Sequence, residues 1–182
     1  VHQRFGDSLG KRLLVDKCTM STIDLGLINF IFPDAKVIFV MRDPRDVCVS
    51  CFMQLMVPTP TTVHLLTWQG TAELYAMVMD WWVYIKQQMT LDFIEFRYED
   101  AVTQFEPTFR RVFNFLGLPW DAGVSDFHKR AASKYIATPS RTQVAQPLYS
   151  SSVKRWRHFE SEFAPVSELL DPFISAFAYE PF

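Results

Sequence analysis

The chain has 182 residues and is 49% hydrophobic, enough for one domain, 1–182, with a sizeable core. Its 18 Lys and Arg face 20 Asp and Glu, so no global basic field points to nucleic acid and any anion site has to be local. No stretch has the roughly 18 consecutive apolar residues of a membrane span or the pattern of a signal peptide. Cys18, Cys48 and Cys51 do not form an even disulfide framework, and Cys48 and Cys51 lie one helical turn apart as packing residues, which favours a reducing, cytoplasmic setting.

In chain order, residues 12–16 (RLLVD) read as a short buried strand ending on Asp16-Lys17. A helix over 23–32 follows, with Ser21 or Thr22 as cap, Asp24 in its first turn and Pro33 beyond its end. Residues 37–41 (VIFVM) are apolar and β-branched, as in a central parallel strand covered on both faces. The strand, helix and strand predict a βαβ unit. Arg42 stands at the carboxyl end of 37–41; Asp43 is a good N-cap, Pro44 suits the first helical position, and Asp46 lies in the first turn. Ser50 is then about two turns into this helix, and Cys48 and Cys51 are packing residues on it.

Spacing leaves this helix mouth open to two readings. Arg42 could pair with Asp43 or Asp46 on the surface while Ser50 faces solvent. Alternatively, the helix amino end, the guanidinium and the hydroxyl hold a phosphate or sulfate group.

Pro58 and Pro60 break the chain, and a Thr-rich loop leads past His64 to a long helix over 65–88. Its stripe of Trp68, Tyr75, Trp81 and Trp82 at helical spacing reads as core. A strand over 91–96 ends in Arg97-Tyr98, and an amphipathic helix over 106–116 ends at Gly117 as its C′ residue. The turn 118–121 caps a helix over 122–133. Residues 134–150 lack any period and are dense in hydrogen-bonding side chains, Ser140 among them, which marks a functional loop. Ser150 to Ser152 can cap a basic helix over 153–160 bearing Lys154, Arg155 and Arg157 around Trp156, and an amphipathic helix follows Pro165. The three expected strands end in Lys17, Arg42 and Arg97-Tyr98, and ligands bind beyond the carboxyl ends of such strands. Taken alone, Lys17 could equally be a snorkelling or ion-paired surface residue.

Asp16-Lys17, Arg42-Asp-Pro-Arg-Asp with Ser50, Tyr98-Glu99-Asp100, Gly117-Leu-Pro-Trp120, Thr138-Pro-Ser140 and Arg155-Trp156-Arg157 together resemble, in that order, the sulfotransferases that use 3′-phosphoadenosine 5′-phosphosulfate (PAPS). The likeness is nearest to bacterial sulfotransferase domains often joined to tetratricopeptide repeats, so such repeats are an expectation upstream of Val1. More distantly the chain is similar to protein-tyrosine sulfotransferases. The resemblance implies a three-layer α/β, P-loop-NTPase-like fold with a central parallel sheet, incomplete at the amino terminus. It further implies that Arg42, Ser50 and Arg155 bind the 3′-phosphate and that Tyr98 lies near the adenosine. Lys17 would approach the sulfuryl group and Ser140 would contact the 5′ side. The cofactor is PAPS, with no metal, and the partner is a hydroxyl-bearing acceptor: a small alcohol, a sugar or a tyrosyl peptide, met in part by the loop 54–66.

The chain also departs from this pattern. Cys18-Thr19 follows Lys17 where the family has Met-Pro or Asp-Pro, and no His stands at that point, since His2, His64, His128 and His158 fall elsewhere. Neither P-R-S-G-T-T nor P-K-S-G-T-T, the loop that grips the 5′-phosphosulfate, occurs, and Gly6 and Gly10 precede no suitable helix. The 182 residues are therefore expected to bind nucleotide without enzymatic turnover. A non-catalytic nucleotide-binding module is the alternative to an enzyme. A P-loop kinase is disfavoured because no G-x-x-x-x-G-K-[ST] is present.

Overall fold

The structure is a computed structural model that describes residues 13–54, 56–132 and 145–182. Its centre is a parallel pair of strands, β1 (Lys36–Met41) and β2 (Asp92–Arg97), in register from Lys36 opposite Asp92 to Met41 opposite Arg97. Because the two carboxyl ends are level, Arg42 and Tyr98 leave the sheet side by side. Eight helices accompany the pair among the described residues: α1 (Leu25–Ile31), α2 (Pro44–Phe52), α3 (Trp68–Ile85), α4 (Tyr98–Thr103), α5 (Phe105–Leu116), α6 (Phe127–Ala132), α7 (Glu160–Phe163) and α8 (Ser167–Ala176). Short 3₁₀ turns occur at Thr19–Thr22, Thr62–Leu66, Ala122–Asp126, Arg155–Phe159 and Ala164–Val166.

Side chains alternate across each strand, so the two faces carry different partners. Val37, Phe39 and Met41 face α3, where the fully buried Trp82 ring stacks on Phe39 at 3.7 Å and 4°. The Trp82 indole N–H donates to Glu95 Oε1 at 3.0 Å, and Lys86 Nζ donates to the same oxygen at 3.1 Å, so this carboxylate on the core face of β2 is satisfied. On the opposite face Phe96 meets Phe109 of α5, with Ala101 and Val112 beside it. Helices therefore pack on both sides of the parallel pair, an α/β arrangement, although the second face is covered at β2 and left open at β1.

Local chemistry accounts for several element ends. Asp43 caps α2 by accepting from Arg45 N at 3.0 Å, with Pro44 at the first helical position as expected. Thr67 Oγ1 caps α3 by accepting from Gly70 N, which starts this helix at Trp68 rather than at 65. Asp121 Oδ1 accepts from Gly123 N at 2.8 Å, so the turn 118–121 does cap the element after it, although that element opens as a 3₁₀ turn. Gly117, at φ +70°, closes α5 with Leu118 N donating to Phe113 O and Gly117 N to Asn114 O, the two bonds of a Schellman motif.

Several expectations are corrected. Residues 13–15 are not a strand: they find no ladder partner among the described residues, and Leu13, Leu14 and Val15 are 61%, 60% and 81% exposed. The parallel connection runs instead from β1 through α2 and α3 to β2. The strand expected to be covered on both faces is open on one, with Ile38 39% and Val40 49% exposed, because the apolar face of α5 packs on β2 and meets β1 at Lys36, whose Nζ donates to Phe115 O at 2.6 Å. Tyr98–Thr103 is a helix that spacing did not suggest. The helix expected over 153–160 is a 3₁₀ turn entered through Lys154 in the left-handed region at φ 58°, and no serine side chain caps it. Ser140 and the loop around it lie outside the described residues.

Candidate anion site

The motif R-D-P-R-D divides its labour between its two arginines. Arg45, not Arg42, takes Asp43: Nε donates to Oδ1 at 2.9 Å and Nη2 to Oδ2 at 2.8 Å, the arginine being 1% exposed. Its guanidinium lies 3.7 Å over the Trp156 ring, and Nη2 also donates to the Glu180 carbonyl at 2.7 Å. Asp46 accepts from Lys154 N at 2.8 Å and from Trp156 N at 2.9 Å. Both carboxylates are thus committed elsewhere, and among the described residues Arg42 forms no ion pair with either. This removes the surface-pair reading of Arg42.

Arg42 stands at the carboxyl end of β1 with its guanidinium 4.7 Å over the Tyr98 ring. One arm is held, since Nη2 donates to Ser152 O at 2.6 Å. Nε is buried and has no acceptor among the described residues. Arg45 Nη1 also lacks an acceptor among the described residues, but that guanidinium is covered by the Trp156 face and neutralised by Asp43. Arg42 has no such ion pair among the described residues. Burial pushes the Tyr98 hydroxyl above its ordinary range against the pull of Arg42, so the ring serves as a neutral platform.

The Arg155 backbone is held against the first turn of α2. The amides on either side of it, at Lys154 and Trp156, are both pinned on Asp46, in the first turn after Arg42. Ser50 is one turn further along α2 from Asp46, hence on the same helix face. Neither the Ser50 hydroxyl nor the Arg155 guanidinium has a hydrogen-bond partner among the described residues. Burial raises the thiols of Cys48 and Cys51, foremost by desolvation, so neither is a nucleophile at neutral pH.

Lys17 is exposed on the segment before the turn Thr19–Thr22, and it has no hydrogen bond or ion pair among the described residues. Beyond the far end of α2 a cleft of about 270 Å³ is lined by Phe52, Met53, Gln54, Met56, Pro58, Thr62, Leu65 and Leu66, where the loop 54–66 was expected to meet an acceptor. Sequence reading missed Arg45, Glu99, Tyr179 and Glu180. The second arginine of R-D-P-R-D was the available signal for Arg45. Glu99 stands in the motif Tyr98-Glu99-Asp100 without an assigned role, and nothing local marked Tyr179 or Glu180, whose bonds to Glu99 and Arg45 span 80 and 135 positions.

Parallel strands under a helix mouth with an unmatched guanidinium define an α/β protein with a cationic site at its strand ends. The chain belongs to the sulfotransferase family, whose description, Sulfotransferase family, matches residues 4–122, more than half its length. Lys17, Arg42, Ser50 and Tyr98 fall inside that match; Ser140 and Arg155 lie beyond it. A protein of Aquifex aeolicus (strain VF5), named only as an uncharacterized protein, is 31% identical over 163 residues, which is 86% of this chain and 20% of that protein. The chain therefore spans about a fifth of the length of this relative.

Proposed function

We propose that this site is the 3′-phosphate grip of a sulfotransferase that takes its sulfuryl group from PAPS and passes it to a hydroxyl acceptor. The observation that carries the reading is the buried Arg42 Nε, a charged donor with no acceptor among the described residues, at a helix mouth whose Asp46 also holds the Arg155 backbone. A phosphate supplies the acceptor this donor lacks, and an overall charge of −2 leaves its capture to such local cations.

In this reading Arg42, Ser50 and Arg155 hold the 3′-phosphate, and Tyr98 packs near the adenosine. Lys17 and Ser140 serve the sulfuryl end, where transfer relies on positioning and fixed donors. PAPS supplies the activated sulfuryl group; the chain's residues bind and orient it. The apolar cleft around Met53 and Leu66 is where the acceptor enters.

Calorimetric titration with adenosine 3′,5′-bisphosphate tests the grip. Arg42→Ala is expected to weaken binding by about 1.5–3 kcal/mol, roughly ten- to a hundredfold, the range for a charge-assisted hydrogen bond. Arg110→Ala, which removes an exposed arginine paired with Glu106, should leave binding unchanged. Equal affinity of the Arg42 variant and the wild type would overturn the assignment.

A further inference from the structure

We propose that Glu99 and Tyr179 are positioning residues for the 3′-phosphate, acting through the backbone between Arg42 and Asp43 without touching the ligand. The proposal rests on the nucleotide reading above and assigns what holds that site in shape.

Glu99 is the second residue of α4, one position after Tyr98. Its carboxylate divides between two elements: Oε1 accepts from Asp43 N at 3.1 Å, and Oε2 accepts from the Tyr179 hydroxyl at 3.1 Å. The Asp43 amide belongs to the peptide that links Arg42 to its neighbour, so this one bond sets the direction in which Arg42 leaves β1. It also ties that peptide to the start of the helix that carries the Tyr98 platform.

Tyr179 is itself held. The Arg97 guanidinium lies 4.6 Å over its ring and donates to the carbonyls of Phe177 and Ala178. Tyr179 N donates to Ile174 O at 2.8 Å, which folds the chain back over the strand ends. One residue on, Glu180 accepts from Arg45 Nη2 through its carbonyl and from Lys154 and Arg157 through its carboxylate. The segment 177–182 therefore touches the supports of Arg42, Tyr98 and Arg155, yet presents no donor of its own to an anion. Burial, with Glu99 next to it, raises the Tyr179 hydroxyl far above its ordinary range, so it stays a neutral donor to the carboxylate.

The test compares affinities for adenosine 3′,5′-bisphosphate and adenosine 5′-phosphate, whose ratio isolates the 3′-phosphate and is measured on one folded population. Tyr179→Phe keeps the ring and removes only the hydroxyl; it is expected to lower the ratio about three- to tenfold, the effect of one ordinary hydrogen bond. Glu99→Gln retains an oxygen for the Asp43 amide and should hold the ratio within about twofold of wild type, whereas Glu99→Ala should lose about tenfold. A ratio unchanged in both Tyr179→Phe and Glu99→Ala overturns the proposal while leaving the site intact. A wild type with no preference for the bisphosphate overturns the nucleotide reading and this inference with it. If Glu99→Ala fails to fold, Tyr179→Phe decides alone.

Discussion

Arg42 and Arg45 are three residues apart and have the same side chain, yet they have opposite roles because burial and partners differ. Arg45 is enclosed, neutralised by Asp43 and stacked on Trp156, so its removal leaves a buried carboxylate without its counter-ion. Arg45→Met is expected to cost about 3–5 kcal/mol in urea unfolding, the range for breaking a buried ion pair from one side. An unchanged urea midpoint would show that Asp43 is solvated after all. Asp46 gives a second test, in pH. Burial raises its carboxyl above the ordinary range, outweighing its two amide donors and the nearby Arg42. An acid whose pKa is raised on folding is favoured in its protonated form, so its contribution is fully present below the ordinary carboxylate value and is lost as pH rises through the folded value. The stability of wild type minus that of Asp46→Asn should therefore fall with rising pH across this acidic window and be level above it. A difference independent of pH would refute the shift.

At the scale of elements, two helix ends with the same hydrogen-bond pattern carry different residues. Gly117 closes α5 at φ +70°, where glycine has no steric penalty. Ala178 closes α8 at φ 52°, with Ala178 N donating to Ser175 O and Tyr179 N to Ile174 O, and an alanine there is strained by roughly 1 kcal/mol. Ala178→Gly should relieve this strain and, after the greater chain entropy of glycine, leave the protein about 0.5 kcal/mol more stable in thermal unfolding. A lower melting temperature would show that the methyl group packs favourably there. This turn matters beyond its own energy, since it aims Tyr179 at Glu99.

For the whole molecule, apolar surface is unevenly covered. β1 has one unpaired edge among the described residues, and beside it Ile38 and Val40 are 39% and 49% exposed, with Phe30 of α1 at 84%. An open edge with an apolar face invites pairing between chains. The 182-residue chain is expected to self-associate with rising concentration in sedimentation velocity, and Val40→Lys should suppress this without changing nucleotide affinity. A monomer at all concentrations would mean that this surface is protected.

Local chemistry was legible without coordinates. The cap at Asp43, Pro44 at the start of α2, the C′ role of Gly117 and the position of Arg42 at a strand end all depend on residues within a few positions of one another, where hydrogen-bond reach and backbone preference decide. The parallel placing of 37–41 and 91–96 came from apolar runs joined through helices. Residues 13–15 show the limit of such patterns: an apolar run specifies a strand only where a partner completes its ladder. Which arginine pairs with Asp43, that Asp46 pins the Arg155 turn across 108 residues, and that Glu99 joins Asp43 to Tyr179 were decided by tertiary structure alone. A charged side chain has many possible partners along a sequence, and only burial, by removing water from the competition, selects one.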